Sequence, residues 1–68
     1  MAIEIRLNGE TASFEAPLTV LDLLARLELT PGKVAVERNL EIVPRSSYGE
    51  TPVEQGDRFE IVHFVGGG

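Results

Sequence analysis

Residues 2–15 read Ala2-Ile3-Glu4-Ile5-Arg6-Leu7-Asn8-Gly9-Glu10-Thr11-Ala12-Ser13-Phe14-Glu15. Ile3, Ile5 and Leu7 fall on one side and Glu4 and Arg6 on the other, the period of a half-buried strand. Asn8-Gly9 supplies the positive φ angles of a tight hairpin, so a second strand returns at once. Thr11 to Glu15 fits that return, with Ala12 and Phe14 facing inward. Pro17 ends the hairpin. Thr19-Val20-Leu21-Asp22 then has the form of a capping box, with an acidic residue at the positive end of a helix dipole. Val20, Leu24 and Leu27 make an apolar stripe, widened by Leu21 and Leu23. Pro31-Gly32 is expected to stop a helix of about ten residues, which at that length must be held by packing.

Beyond the helix, Val34 to Glu37 forms another short strand and Arg38 to Glu41 a turn, with Asn39 best suited to a left-handed conformation. Ile42-Val43 is a short apolar pair closed by Pro44. Arg45 to Pro52 has no clear period and reads as loop or a short helical turn, in which Arg45 and Tyr48 are open to contact with a partner. Gln55-Gly56-Asp57 is a turn, with Asp57 as its cap. Arg58 to Val65 is the final strand. A hairpin, a crossover helix and later strands make an α+β domain, a mixed sheet packed against one main helix. Right-handed crossover sets a later strand parallel to the first. The arrangement is the β-grasp, the ubiquitin-like fold. It is expected over residues 1–65, with residues 66–68 as a tail.

The composition excludes much. With 68 residues the chain is one domain. It contains no cysteine, which removes disulfides, iron–sulfur ligation and a cysteine nucleophile together. Its one histidine, His63, builds neither a metal site nor a catalytic dyad alone, and is expected to pack at the strand end. A net charge of −5 argues against nucleic acid and suits a partner with a basic docking surface. No apolar run approaches the roughly 20 residues of a membrane span, and the first residues lack the order of a secretory signal. A cytoplasmic protein is expected.

The sequence closes on Phe64-Val65-Gly66-Gly67-Gly68. Glycines at a chain end are often no more than a frayed terminus. These run directly off a core strand, and the chain offers no other reactive constellation. A carboxylate is a poor electrophile until its oxygen is joined to the α-phosphate of ATP, when AMP becomes the leaving group. A sulfur nucleophile can then displace AMP and lead to a thiocarboxylate. This chain has neither a phosphate-binding loop nor a base, so the chemistry belongs inside a partner. Gly66 and Gly67 are suited to threading a narrow channel that brings Gly68 to the reaction centre. Three glycines reach up to about 10 Å and have no Cβ to obstruct entry. In the last strand Phe59 and Ile61 share one face, while Glu60, Val62 and Phe64 share the other. Glu60 marks that second face as exposed, so Val62 and Phe64, with Val65 beside them, are candidate docking residues.

These residues carry a family resemblance. Val36-Glu37-Arg38-Asn39, Ile42-Val43-Pro44-Arg45, Gly56-Asp57 and the ending Glu60-Ile61-Val62-His63-Phe64-Val65-Gly66-Gly67-Gly68, together with the Asn8-Gly9 hairpin, resemble the sulfur carrier proteins of thiamin biosynthesis. The resemblance covers essentially the whole chain. It implies a co-substrate, not an enzyme, with no bound cofactor or metal. On this resemblance Gly68 is adenylated by a ubiquitin-activating-like adenylyltransferase that uses ATP and magnesium. A cysteine desulfurase or sulfurtransferase supplies sulfur as a persulfide, leaving a covalent thiocarboxylate (1-thioglycine) at Gly68. Thiazole synthase then accepts the sulfur. The small subunit of molybdopterin synthase shares the fold and the Gly-Gly end, but carries a larger insertion before the final strand. A tRNA-thiolation carrier, a modifier joined through Gly68 to lysines, and an interaction module with an inert tail are the other readings.

Overall fold

The computed structural model describes residues 1–64. Strands β1 (Ala2–Leu7), β2 (Glu10–Glu15), β3 (Val34–Arg38), β4 (Glu41–Ile42) and β5 (Arg58–His63) form one sheet in the order β2-β1-β5-β3-β4. β5 lies in the centre, parallel to β1 and antiparallel to β3. This is the mixed β-grasp sheet expected from the sequence. One helix, α1 (Val20–Arg26), packs on its inner face.

The first hairpin forms as read. Leu7 pairs with Glu10 across Asn8 and Gly9, whose φ angles of 51° and 85° are those of the tight turn. Ile3 and Ile5 are buried, and Ala12 and Phe14 pack partly against the core. Thr19 caps α1 as expected. Its hydroxyl accepts from the Asp22 amide at 3.1 Å, and the Asp22 carboxylate accepts from the Thr19 amide at 2.9 Å. The bond from the Thr19 amide foremost, and the Thr19 hydroxyl beside the carboxylate next, hold the Asp22 carboxyl below its usual range.

The helix ends earlier than the Pro31-Gly32 signal implied. Leu27 is its C-cap, and Glu28 turns left-handed at φ 60°. The Glu28 amide donates to Ala25 O at 3.1 Å and the Leu29 amide to Leu24 O at 2.9 Å, the pairings of a Schellman motif. Glycine usually occupies such a position, and its absence hid the stop from sequence reading. Pro31 instead opens a 3₁₀ turn, Pro31–Lys33, that leads into β3. The apolar stripe is also narrower than expected. Val20, Leu23 and Leu24 are buried, whereas Leu21 is exposed.

The second hairpin, β3–β4, turns through Asn39 and Leu40, both at positive φ. Beneath it lies a polar node centred on Asp57, only 7% exposed. Its Oδ2 accepts from Arg38 Nε and from the Glu54 amide, each at 2.9 Å, and its Oδ1 from Asn39 Nδ2 at 3.2 Å. The Asn39 side chain in turn accepts from the Arg58 amide at 3.0 Å. Asp57 therefore does more than cap a turn. It ties the β3–β4 turn to the start of β5. Tyr48 is a second correction: it is buried in the core, since the Arg45–Ser47 3₁₀ turn folds its ring inward. Partner contact by Tyr48 is excluded; Arg45 remains on the surface.

Two substitutions test this description. Glu28→Gly is expected to raise the unfolding free energy by about 1 kcal/mol, because glycine adopts the left-handed angle without strain. Asp57→Ala should cost about 3 kcal/mol, since it leaves Arg38 Nε, Asn39 Nδ2 and the Glu54 amide without their acceptor. Denaturant unfolding of the two variants beside the parent chain measures both.

Candidate functional site

Position on β5 decides what is presented outward. Phe59 and Ile61 are buried against α1, so Glu60 and Val62 project from the opposite, open face of the sheet. Val62 is 60% exposed and Phe64 53% exposed, as the alternation of the strand implied. On the same face Ala35 of β3 stands opposite Val62, and Glu37 opposite Glu60. The Val34-Ala35-Val36 alternation carried that signal for Ala35, which sequence reading did not use.

The end of the strand is firmly anchored. β3 pairs with β5 as far as Val34 and His63, and the Phe64 amide then donates to Lys33 O at 2.8 Å. On the other flank β1 stops at Leu7, and the side chain of Asn8 takes over. Asn8 Oδ1 accepts from the Ile61 amide at 2.8 Å, and Asn8 Nδ2 donates to Ile61 O at 3.3 Å. An amide side chain thus imitates one more residue of strand and satisfies backbone that would otherwise be bare. The residue read as a turn former also braces β5 next to Val62. His63 does not pack at the strand end as expected; it is exposed there.

Val65, Gly66, Gly67 and Gly68 lie outside the described residues. So does the proposed reaction centre. Among the described residues no cluster of histidine or carboxylate side chains is placed to hold a metal ion. Among the described residues no helix is long and apolar enough to cross a membrane. Leu40 and Ile42, in and after the second turn, are also exposed apolar residues that sequence reading did not single out.

A model of the ThiS family matches residues 5–68. The chain belongs to the ThiS family. Its resemblance to the sulfur carrier proteins of thiamin biosynthesis is thereby borne out. The sulfur carrier protein ThiS of Bacillus subtilis is 43% identical over 65 residues, which cover 94% of this chain and 98% of that protein. The crystal structure of a thiamine biosynthesis protein (ThiS) from Geobacter metallireducens superposes with a TM-score of 0.82 at 32% identity, covering 97% of this chain and all of the other. A thiazole synthase of Paramagnetospirillum magneticum is 53% identical over 66 residues. Those residues are 97% of this chain but only 20% of that protein, so the ThiS-family chain spans a fifth of this relative's length.

If Val62 and Phe64 face solvent as described, removing their apolar surface leaves the fold intact. Val62→Ser and Phe64→Ser are each expected to change stability by no more than about 0.5 kcal/mol. By contrast, Ile61→Ser, one residue away on the buried face, should cost several times as much. Thermal melts of the three variants check the contrast.

Proposed function

We propose that this chain carries sulfur on the carboxylate of Gly68 and hands it to thiazole synthase. The observation that carries the reading is the end of β5. Its backbone is anchored through Phe64, its apolar residues Val62 and Phe64 face outward, and side-chain-free glycines follow. Membership of the ThiS family supports the same assignment.

The chemistry runs in steps. Inside a ubiquitin-activating-like adenylyltransferase, a Gly68 carboxylate oxygen attacks the α-phosphate of ATP and pyrophosphate leaves. The terminal sulfur of a persulfide, supplied by a cysteine desulfurase or sulfurtransferase, attacks the acyl carbon and expels AMP. A second thiol then attacks the donor's sulfur and releases the Gly68 thiocarboxylate, with the donor left as a disulfide. Magnesium serves the ATP in the partner enzyme. Val62 and Phe64, with Val65, seat the domain on the partner, while Gly66 and Gly67 thread toward its reaction centre. The domain contributes position and access, and the proton and phosphate chemistry is the partner's. Residues 1–65 are on this reading the domain and residues 66–68 its reactive tail, working in the cytoplasm.

Thiazole synthase as acceptor draws support from the Paramagnetospirillum relative. A segment like this one forms part of a chain that bears that name. Placing carrier and acceptor on one chain raises their effective concentration, which is useful if sulfur passes between them.

The absence of cysteine makes the test direct. The chain ending at Gly68 is incubated with its activating enzyme, ATP and a persulfide donor, then with a thiol-alkylating reagent. ATP-dependent alkylation that maps to Gly68 is expected, and it distinguishes sulfur from the nearly equal mass added by oxidation of Met1. No alkylation, with an activating enzyme shown to be competent, overturns the reading. Deleting Gly67 and Gly68 is expected to abolish alkylation while leaving the melting temperature unchanged.

A further inference from the structure

Arg6 and Arg58 are register partners on the parallel strands β1 and β5, so their Cα atoms stand about 5 Å apart and both side chains project from the open face. They line one open depression of about 410 Å³ together with Gly9, Gly56 and Glu60. Gly9 and Gly56 both adopt φ 85°, and a Cβ at either would meet nothing within 4 Å, so the space beside the arginines is open. Arg6 donates one bond, to Gly9 O at 3.1 Å. Neither guanidinium forms an ion pair among the described residues, whereas Arg38 pairs with both Glu54 and Asp57. Like charges placed opposite each other across strands work against the sheet. Here that juxtaposition occurs in a chain with 6 cationic and 11 acidic residues, where carboxylate partners are plentiful.

We propose that Arg6 and Arg58 form a second docking point, which receives an acidic side chain of the adenylating partner. This inference rests on the docking reading of Val62 and Phe64. Val62 lies four strand steps beyond Arg58, about 13 Å, so one interface of ordinary size covers both. The open face is therefore graded along β5: cationic at Arg6 and Arg58, acidic at Glu37 and Glu60, apolar at Val62 and Phe64. An acidic domain drawn to a basic surface by net charge alone has no preferred orientation. A cationic pair at the end remote from the tail supplies one, because only the arrangement that brings it to a carboxylate sends the tail toward the reaction centre. Both guanidinium groups are exposed, which leaves them weak traps for a free anion. They gain strength when a partner covers them and excludes water. That difference favours a protein carboxylate over a soluble oxyanion.

The test is steady-state adenylation by the activating enzyme, read as ATP–pyrophosphate exchange, with the carrier concentration varied. Arg6→Gln/Arg58→Gln is compared with Val62→Ser/Phe64→Ser and with the parent chain at low and high salt. The arginine variant is expected to raise KM on the order of ten-fold with kcat unchanged, and to lose part of the parent's salt dependence. Arg26→Gln, a cation on α1 across the sheet from the pair, should leave KM within two-fold. A KM unchanged in the arginine variant but raised in the Val62/Phe64 variant overturns the arginine proposal and keeps the docking reading. If neither variant moves KM, the docking reading falls and the arginine proposal with it. A lowered kcat at constant KM also overturns the proposal. So does saturable binding of inorganic phosphate at Arg6 and Arg58 below about 1 mM, seen in an NMR titration, since that marks a free-oxyanion site.

Discussion

Everything in this domain depends on β5 being held from both sides. It is the central strand, and its outer residues are useful to a partner only if its backbone does not move. On one flank β3 pairs with it and the Lys33 carbonyl extends the ladder to Phe64. On the other, β1 runs parallel to it until the chain must turn, and the Asn8 amide takes the last pair of bonds at Ile61. The core reinforces this from beneath, with Phe59 and Ile61 buried among Val20, Leu23 and Leu24. At its start the Asp57 node locks the strand to the second turn. A domain of this size has a small core, and the central strand is anchored from both flanks and from beneath.

That anchoring fits the division of labour between domain and partner that is proposed above. Among its described residues the folded part has no metal-binding cluster. What it offers is a fixed exit for the chain and a face by which another protein can grip it. An adenylated or thiolated terminus is reactive toward water and amines, so it is best made where a partner encloses it. On the proposed reading, side-chain-free residues then serve access and the apolar pair on β5 serves placement. On that reading affinity must also be limited, because the carrier has to leave one enzyme to reach the next. A face with exposed charges and a small apolar patch fits that need better than a large dry interface.

The elements legible in the sequence were those set by neighbours along the chain. Alternation fixed the inner and outer faces of β1 and β5, and with them the exposure of Val62 and Phe64. Asn8-Gly9 and the Thr19–Asp22 box each state their geometry within four residues. The features that escaped depend on residues distant in sequence or on a rule broken locally. Glu28 ends the helix without the glycine that normally announces such a stop. Tyr48 is drawn into the core by a turn with no periodicity of its own, while Leu21 of α1 stays exposed. Asn8 reaches Ile61 and Asp57 reaches Arg38 and Asn39 across the fold, partnerships that no local pattern encodes. The same holds for Arg6 and Arg58, which become neighbours only when β1 and β5 pair.

The central claim is that sulfur leaves this protein from Gly68 for the thiazole product, and isotope transfer tests it most directly. The Gly68 thiocarboxylate is prepared with heavy sulfur and supplied as the only carrier to thiazole synthase and its other substrates. The account expects the label to appear in the thiazole while Gly68 returns to a carboxylate in equal amount. Thiazole formed without label, with the heavy thiocarboxylate still on Gly68, would contradict it.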